Sequence, residues 1–517
     1  MLIDLINNTI FNKQYDICII GGGIAGLTIA NELKNKNVTI AILESGNFDF
    51  DEKIQSLYKG EVLSTSAPHA ELDVFRRRQY GGTSHMWGGG VLPLDEIDFE
   101  YQDYIKGSGW PITRKDLNPY YGRAMRYFGV GDNVDDYDTV SPIIQDLEKS
   151  KVLQTKMWKL TPSNKKNFSN RFKRNLYDRS NVDIYINANC TDLNPTNNEK
   201  LLEVKTLSGV VHTIKATKFI ISMGGIETTR LLMLSSFDYG DNVGRYYTPH
   251  WNSNHGLLLI RPDKLVSSQY ERTSRGYRIR RFLTLNEEFA KMNGLLNVKI
   301  TLEKIVTDND MLEDIQGYFN YLYGIDVSLL DLADNVDLKQ FSFSEEGESA
   351  ARRVFRYSRN LVNKYINFNV FEYNCALGQK PNVDSTLTLS NKLDDMGQRT
   401  VQLDYKVSED DKESLIRTYH LIGKELGQLG VGRMMFNPDI AAQDFIQSSH
   451  GSSHHCGTTR MADSLENGVV DANLKLFKSN NKYICSSSVF PITGHANPTL
   501  TIAALGIRLA DYITKKV

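Results

Sequence analysis

Apolar positions near the start of the chain fall into two short runs, separated by a stretch with helical spacing. Residues 16–46 read DICIIGGGIAGLTIANELKNKNVTIAILESG. This pattern predicts a buried strand, a glycine turn, a helix from about Gly23 to Lys34 and a second apolar strand ending at Glu44. Both strands are apolar on both faces, which is typical of a parallel sheet covered by helices. The segment is therefore predicted to be a βαβ unit.

Comparable patterns return in the middle and at the end of the chain. Residues 181–225 predict several strands joined by turns, and they close with a second pair of glycines. The last unit predicts a strand, an irregular loop and a helix from about Pro498. We therefore expect an α/β fold (α+β overall) in which one domain is assembled from separated segments. The predicted segments of this domain are 12–95, 181–250 and 450–517.

The intervening residues have a different pattern and are predicted to form a second domain from 96–180 and 251–449. STLTLSN and TVQLDYKVS predict paired strands, and we expect an antiparallel sheet flanked by helices. SEDDKESLIRTYHLIGKELGQLG predicts a helix with an acidic first turn and with Gly430 at its end. Residues 345–366 predict a further helix, and we interpret its basic second half as a solvated face.

Bulk composition narrows the class of protein and its setting. Of the 517 residues, 41% are hydrophobic and 24% are charged, and the formal net charge is −2. No global field therefore favours nucleic acid or an anionic membrane as a partner. The N-terminus lacks the basic start of a secretory signal, and no run of about 18 apolar residues predicts a membrane span. Five cysteines without a CxxC pair predict a reducing, cytoplasmic setting.

Three glycines between the first predicted strand and helix form the pattern G-x-G-x-x-G. Gly21 permits a tight turn, Gly23 lets the backbone approach a pyrophosphate, and Gly26 permits close packing of helix on strand. The helix N-terminus offers free N–H groups to phosphates. Glu44, at the end of the second strand, is placed to accept hydrogen bonds from ribose hydroxyls and to repel a 2′-phosphate. These residues predict binding of NAD or FAD, which they do not distinguish, and disfavour NADP.

A second glycine-rich stretch follows at 76–94 and reads RRRQYGGTSHMWGGGVLPL. Its glycines let the backbone lie flat against a planar group, and Trp87 offers a ring beside it. We interpret this stretch as a buried loop that lines a ligand site.

Two polar clusters near the C-terminus carry candidate chemistry. SSHHCGTTRM, at 452–461, contains His454, His455 and Cys456, with His450 just upstream. These residues are compatible with a zinc site, with a cysteine nucleophile and its base, or with histidines buried in a core. TGHANPTLT, at 493–501, follows a predicted strand at the edge of the sheet where ligands bind in open α/β folds. We therefore expect the two clusters to line a ligand site.

Seven motifs, in order over nearly the whole chain, resemble the glucose–methanol–choline (GMC) flavin oxidoreductases. The similarity is to the branch that contains pyranose oxidase, fructose dehydrogenase and bacterial sugar-oxidising enzymes. Only about 262–365 is unmatched. The motifs are IIGGGIAGLTIANEL with Glu44, GGTSHMWGGG, MGGIETTRLLMLS, NVGRYYTPH, QKPNVDSTLTLS, HHCGTTRM and GHANPTLTIAALGIRLAD.

The resemblance implies FAD as the cofactor, held by a Rossmann-like FAD-binding domain built from the three segments beside a substrate-binding domain. Several relatives attach FAD covalently to a histidine at the position of Met86. His85 is one place earlier, on the other side of an extended chain, so we expect non-covalent FAD. The cofactor-binding residues implied by the resemblance are Gly21, Gly23, Gly26, Glu44, Gly82, Thr83, Met86, Cys190, Asn497 and Thr499.

The resemblance also implies a catalytic pair and a reaction. His454 corresponds to the family's catalytic histidine and Asn497 to its partner, while His455 and His495 are candidates for the substrate pocket. The expected reaction is FAD-dependent oxidation of a CH–OH group of a sugar, amino sugar or cyclitol-like alcohol, by proton abstraction and hydride transfer to flavin N5. The expected partners are this small-molecule alcohol and an electron acceptor, either oxygen or a quinone or carrier.

Four alternatives stay open from the sequence. A GMC protein can keep FAD for structure and act as a non-redox lyase, or it can oxidise a non-sugar primary alcohol. The glycine pattern alone also permits an NAD-dependent dehydrogenase. A binding protein that has lost catalysis is disfavoured because both His454 and Asn497 are present.

Overall fold

The computed structural model describes residues 1–8, 13–67, 69–137, 140–235, 237–253, 256–304, 369–436 and 454–515. His450 and the helix predicted at 345–366 lie outside these residues. Among the described helices, none combines the length and the apolar character that a membrane span requires.

The first sheet is mostly parallel, and its strands Ile40–Leu43 and Val182–Ile186 are buried on both faces. Eight strands of the described residues form it, and only the two pairings at one edge are antiparallel. Strand Lys482–Ile484 pairs with Val211–Ile221. The other strands follow in the spatial order Leu2–Asp4, Val182–Ile186, Ile40–Leu43, Gln14–Ile20, Val211–Ile221, Leu201–Lys205 and Asn189–Asp192.

The second sheet is antiparallel throughout, in the described residues. Trp251–Ser253 pairs with Asn369–Leu377, and Glu271–Arg272 pairs with Arg278–Leu285. The remaining strands follow in the order Gly432–Met435, Leu257–Ile260, Asn369–Leu377, Val298–Lys304, Arg278–Leu285, Leu153–Leu160 and Gly90–Val91. With the parallel first sheet, this sheet confirms the predicted fold class.

A third, small sheet crosses the domain boundaries expected from the sequence. Thr386–Leu393 and Arg399–Asp404 form the predicted antiparallel pair, and Gly60–Val62 joins Arg399–Asp404 in parallel. Gly90–Val91 likewise adds to the second sheet through Leu153–Leu160. Both of these pairings join one predicted domain to the other. The predicted division of the chain into two domains stays a prediction.

Several helices begin at residues whose side chains cap them. Thr113 caps the helix Arg114–Phe128, and Ser408 caps the helix Glu409–Gln428 in a capping box with Asp411. The other α-helices are Ile24–Leu33, Glu52–Ser56, Glu96–Phe99, Ser163–Lys166, Phe168–Tyr177, Gly224–Leu234, Glu287–Met292 and Thr499–Thr514. The 3₁₀ turns are Gly82–His85, Val134–Tyr137, Leu147–Lys149, Pro195–Asn197 and Ser487–Val489.

Candidate active site

A cavity of about 460 Å³ opens at the carboxyl edge of the parallel strands. Gly21, Glu44, Ser222 and Cys485 each follow directly after a strand of the first sheet, and all four line it. Parallel strands bring the loops that follow them to one edge, which is where open α/β sheets bind ligands. The predicted site residues that line the cavity are Gly21, Gly23, Glu44, Gly82, Thr83, Met86, Cys190, His454, His455, Asn497 and Thr499.

The glycine turn has the spatial properties that a pyrophosphate site requires. Gly21 has a φ of +103°, and a Cβ on Gly26 would lie 2.1 Å from the Gly21 carbonyl oxygen. Gly26 therefore serves the packing of helix Ile24–Leu33 and does not line the cavity. A Cβ on Gly23 would meet nothing within 4 Å, because that face of the turn is open to the cavity. The turn thus leaves room for a group against the free N–H groups of the helix.

Glu44 is buried and held by the backbone at the end of its strand. Its two carboxylate oxygens accept hydrogen bonds from Gly22 N at 2.9 Å and from Gly46 N at 2.8 Å. Each carboxylate oxygen has more than one lone pair, so the group can accept further hydrogen bonds from a ligand. The position therefore suits the predicted contact with ribose hydroxyls.

A buried arginine cluster lines the cavity beside the glycine-rich loop. Arg76 and Arg78 lie 3.3 and 3.1 Å from Glu227, and Arg230 contacts both Glu227 and Asp394. Burial acts to raise the pKa of Glu227, but the three guanidinium groups outweigh it and hold that pKa below its usual value. Three cations face two carboxylates, so the cluster keeps a positive charge that favours an anionic ligand.

The glycine-rich loop adopts a 3₁₀ turn, Gly82–His85, where an extended chain was expected. Gly81 and Gly82 have positive φ, and this allows the chain to turn back against Gly23. His85 accordingly contacts the Tyr80 carbonyl at 2.8 Å and Asn167 at 3.2 Å, while Met86 lines the cavity. His85 does not line the cavity, and both of its ring nitrogens have protein partners.

Hydrogen bonds determine which nitrogen of His454 is unprotonated. The Thr493 carbonyl can only accept, so Nε2 of His250, 3.4 Å away, carries the proton. Burial holds the pKa of His250 well below its usual value, so its Nδ1 is bare and accepts from Nδ1 of His454 at 2.9 Å. Burial, together with the charge of Lys299, also lowers the pKa of His454 to about 3. His454 is therefore neutral, with Nε2 as a free base.

A second chain of hydrogen bonds holds His455. The Ala70 carbonyl accepts from Nδ1 of His69 at 2.7 Å, so Nε2 of His69 accepts from the Tyr247 hydroxyl at 2.7 Å. The Tyr247 oxygen then accepts from Nδ1 of His455, also at 2.7 Å. Nε2 of His455 is left as a buried acceptor with no hydrogen-bond partner among the described residues. His455 lines the cavity, so a ligand there meets this acceptor.

The other chemistries that the histidine cluster permitted find no support in this geometry. His454 and His455 are held by different hydrogen-bond partners, His250 and Tyr247. Burial raises the pKa of the Cys456 thiol to about 12, so this sulfur is not a ready nucleophile. The described residues contain no group of three side chains arranged to hold a metal ion.

Asn497 and His495, two residues apart, occupy different environments. Asn497 lines the cavity, and its amide donates to the Gly90 carbonyl at 3.3 Å and accepts from Lys299 at 3.4 Å. His495 is fully buried, contacts Asp95 at 3.0 Å and does not line the cavity. The structure therefore brings Asn497, His454 and His455 together and places His495 behind them.

Several cavity residues were not singled out from the sequence. The run of three arginines beside the glycine-rich loop was a visible signal for Arg76 and Arg78. Tyr247 lies in the motif NVGRYYTPH but was given no role, while His69 and Lys299 gave no local signal, because they reach the site only through folding.

Family models match two parts of the chain that contribute residues to the candidate site. A model described as GMC oxidoreductase matches residues 381–506, and one described as NAD(P)-binding Rossmann-like domain matches 19–48. The chain is 22% identical to 6'''-hydroxyparomomycin C oxidase of Streptomyces lividus, over 97% of this chain and 92% of that protein. It is 30% identical to paromamine 6'-oxidase of Streptomyces fradiae over 26% of this chain and 24% of that protein.

Solved structures share the fold along the whole chain. Pyridoxine 4-oxidase from Mesorbium loti has a TM-score of 0.56 at 15% identity, over 96% of this chain and 98% of that one. Formate oxidase of Aspergillus oryzae has a TM-score of 0.54 at 16% identity, over 98% and 99%.

Residues 381–506 match the GMC oxidoreductase model, and the full-length relative and the solved structures support a GMC family member. The protein is an FAD-dependent oxidoreductase that acts on CH–OH groups, as predicted from the sequence.

Proposed function

We propose that this protein oxidises an alcohol of an amino sugar or aminoglycoside-like molecule, with His454 as the base that accepts the hydroxyl proton. The observation that carries the proposal is the free Nε2 of His454, fixed by His250 in a cavity that Asn497 also lines. Two relatives are oxidases of aminoglycoside-type molecules by name, which supports this class of substrate.

The residues around the cavity fit FAD. Gly23 leaves open space at the helix N-terminus, Glu44 offers a fixed carboxylate, and the arginine cluster adds positive charge. When bound, FAD supplies the acceptor for the two electrons that leave the C–H bond. His85 is held by Tyr80 and Asn167 and does not line the cavity, which supports the expectation of non-covalent binding.

The proton step is assigned to this chain's own side chains. Nε2 of His454 accepts the proton of the substrate hydroxyl, while Nδ1 of His454 keeps its own hydrogen and donates it in the hydrogen bond to His250. The resulting positive charge on His454 faces the developing negative charge on the substrate oxygen. Asn497 donates an amide hydrogen to that oxygen and stabilises it further.

We also infer that oxygen is the electron acceptor and that the protein is cytoplasmic. The relatives named as oxidases support oxygen over a quinone or carrier. All five cysteines are buried free thiols, which supports a reducing compartment.

Anaerobic mixing with a panel of alcohols tests the function. We expect paromamine-like amino sugars and aminocyclitols to reduce the bound flavin, seen as loss of its visible absorption, and simple primary alcohols to do so more slowly. Readmitted oxygen should restore the absorption and yield peroxide. A flavin that no alcohol reduces would contradict the proposal and favour a non-redox lyase.

A further inference from the structure

A lysine from the second sheet reaches the candidate active site. Lys299 is the second residue of strand Val298–Lys304 and pairs in register with Ala376. Residues alternate between the two faces of a strand, so Val298 and Ile300 face the opposite side and join the hydrophobic core. Lys299 shares its face with Thr301. Only 9% of Lys299 is exposed.

The Lys299 ammonium is buried without a compensating carboxylate among the described residues. Its Nζ lies 4.9 Å from the ring centroid of Trp158 and 3.4 Å from Oδ1 of Asn497. Burial lowers its pKa to about 8, and its charge in turn lowers the pKa values of His250, His454 and His495. An uncompensated buried cation is costly, so a residue of this kind is expected to have a role beyond packing.

The contact determines how the Asn497 amide is oriented. An ammonium group can only donate hydrogen bonds, so the atom facing it must be the amide oxygen. If the Asn497 amide were reversed, its NH₂ group would face the Lys299 ammonium, and two hydrogen-bond donors would oppose each other. With Oδ1 on Lys299, Nδ2 donates one hydrogen to the Gly90 carbonyl at 3.3 Å. Its second hydrogen remains available to the cavity that Asn497 lines.

We propose that Lys299 is the positioning residue of Asn497, which it holds with the amide N–H toward the substrate oxygen. This inference rests on the proposed function, because the substrate oxygen is the one that His454 deprotonates. The positive charge of Lys299 adds to the effect, since it favours the form of the substrate in which that oxygen carries negative charge.

A kinetic double-mutant cycle on the holoenzyme tests whether Lys299 acts through Asn497. We expect Lys299→Met to slow the maximal rate of anaerobic flavin reduction about 10- to 100-fold, as loss of a supporting hydrogen bond does at other sites. The apparent Kd of the alcohol should change less than about threefold. Lys299→Arg should recover most of the rate. Lys304→Met, at the exposed end of the same strand, is the matched control.

In the Asn497→Ala background, adding Lys299→Met should slow flavin reduction further by less than about threefold, because the amide that Lys299 orients is already absent. An equal loss in both backgrounds, or a rate of Lys299→Met within about threefold of the wild type, would overturn the proposal.

Melting temperatures test the contact without turnover. Asn497→Asp places a carboxylate next to Lys299. The change in melting temperature caused by Asn497→Asp should therefore be more favourable when Lys299 is present than in the Lys299→Met background, each measured against the protein that keeps Asn497. Independent effects of the two substitutions would overturn the contact. A wild-type flavin that no alcohol reduces would instead contradict the proposed function, while the melting cycle would still decide the contact.

Discussion

His454 and His455 are adjacent in the chain but are held by separate chains of hydrogen bonds. His250 and Thr493 hold the first ring, and Tyr247 and His69 hold the second. In both cases a backbone carbonyl begins the chain and Nε2 of the last histidine ends it as a bare acceptor. Two neighbouring residues can therefore have different roles, one as base and one as acceptor of a hydrogen bond from a ligand.

The first prediction at the residue scale concerns pH. A histidine base acts in its neutral form, which is present above its pKa, and the pKa of His454 is lowered to about 3 by burial and by Lys299. We therefore expect kcat/KM for flavin reduction to change less than about twofold between pH 5 and 7. A rise through this range with an apparent pKa near about 6.5, that of an ordinary histidine, would contradict the assignment.

The second residue-scale prediction concerns His455. Tyr247→Phe removes the hydroxyl that accepts from Nδ1 of His455, so Nε2 is no longer fixed as the acceptor. We expect the apparent Kd of the alcohol substrate to rise about tenfold, as for the loss of one buried hydrogen bond. Tyr405→Phe is the matched control, because Tyr405 packs edge-on against Tyr247 but bonds Gln379. Equal Kd values for the two variants would count against this role of His455.

Among the structural elements, the glycine turn and helix Ile24–Leu33 contain two glycines with different roles. Gly23 faces the cavity, and Gly26 permits close packing of the helix. Gly23→Ala adds a methyl group to open space beside the cavity, so the apoprotein should melt normally while FAD affinity falls. Gly26→Ala drives a methyl group into the Gly21 carbonyl, so it should lower the free energy of unfolding by about 1–3 kcal/mol. Thermal melting of the apoproteins and titration with FAD measure both effects. Loss of apoprotein stability in Gly23→Ala would contradict this distinction.

Elements with local signals were predictable from the sequence, and elements set by distant packing were not. The helices Ile24–Leu33 and Glu409–Gln428 are marked by their glycines and caps and lie where expected. The turn Gly82–His85 was expected to be extended. Its 3₁₀ form was missed because it depends on closure against Gly23, which is distant in sequence. The pairing of Gly60–Val62 with Arg399–Asp404 joins residues far apart in sequence, and no local pattern announces it.

At the scale of the whole molecule, the site is assembled between the two large sheets. The loops after the parallel strands supply the glycine turn and Glu44, while the antiparallel sheet supplies Lys299. Sequence motifs predicted many of the residues that line the cavity, including His454 and Asn497, but they did not single out Arg76 and Arg78. They could not predict that Lys299 would contact Asn497, since the two residues are 198 positions apart.

Anaerobic reduction of the His454→Ala holoenzyme tests whether His454 accepts the substrate proton. We expect this variant still to bind FAD but to be reduced by the best alcohol at least about 100-fold more slowly than the wild type. His420→Ala, at an exposed histidine of helix Glu409–Gln428, should be reduced at the wild-type rate. Reduction of His454→Ala at a rate close to that of the wild type would contradict the assignment of His454 as the base.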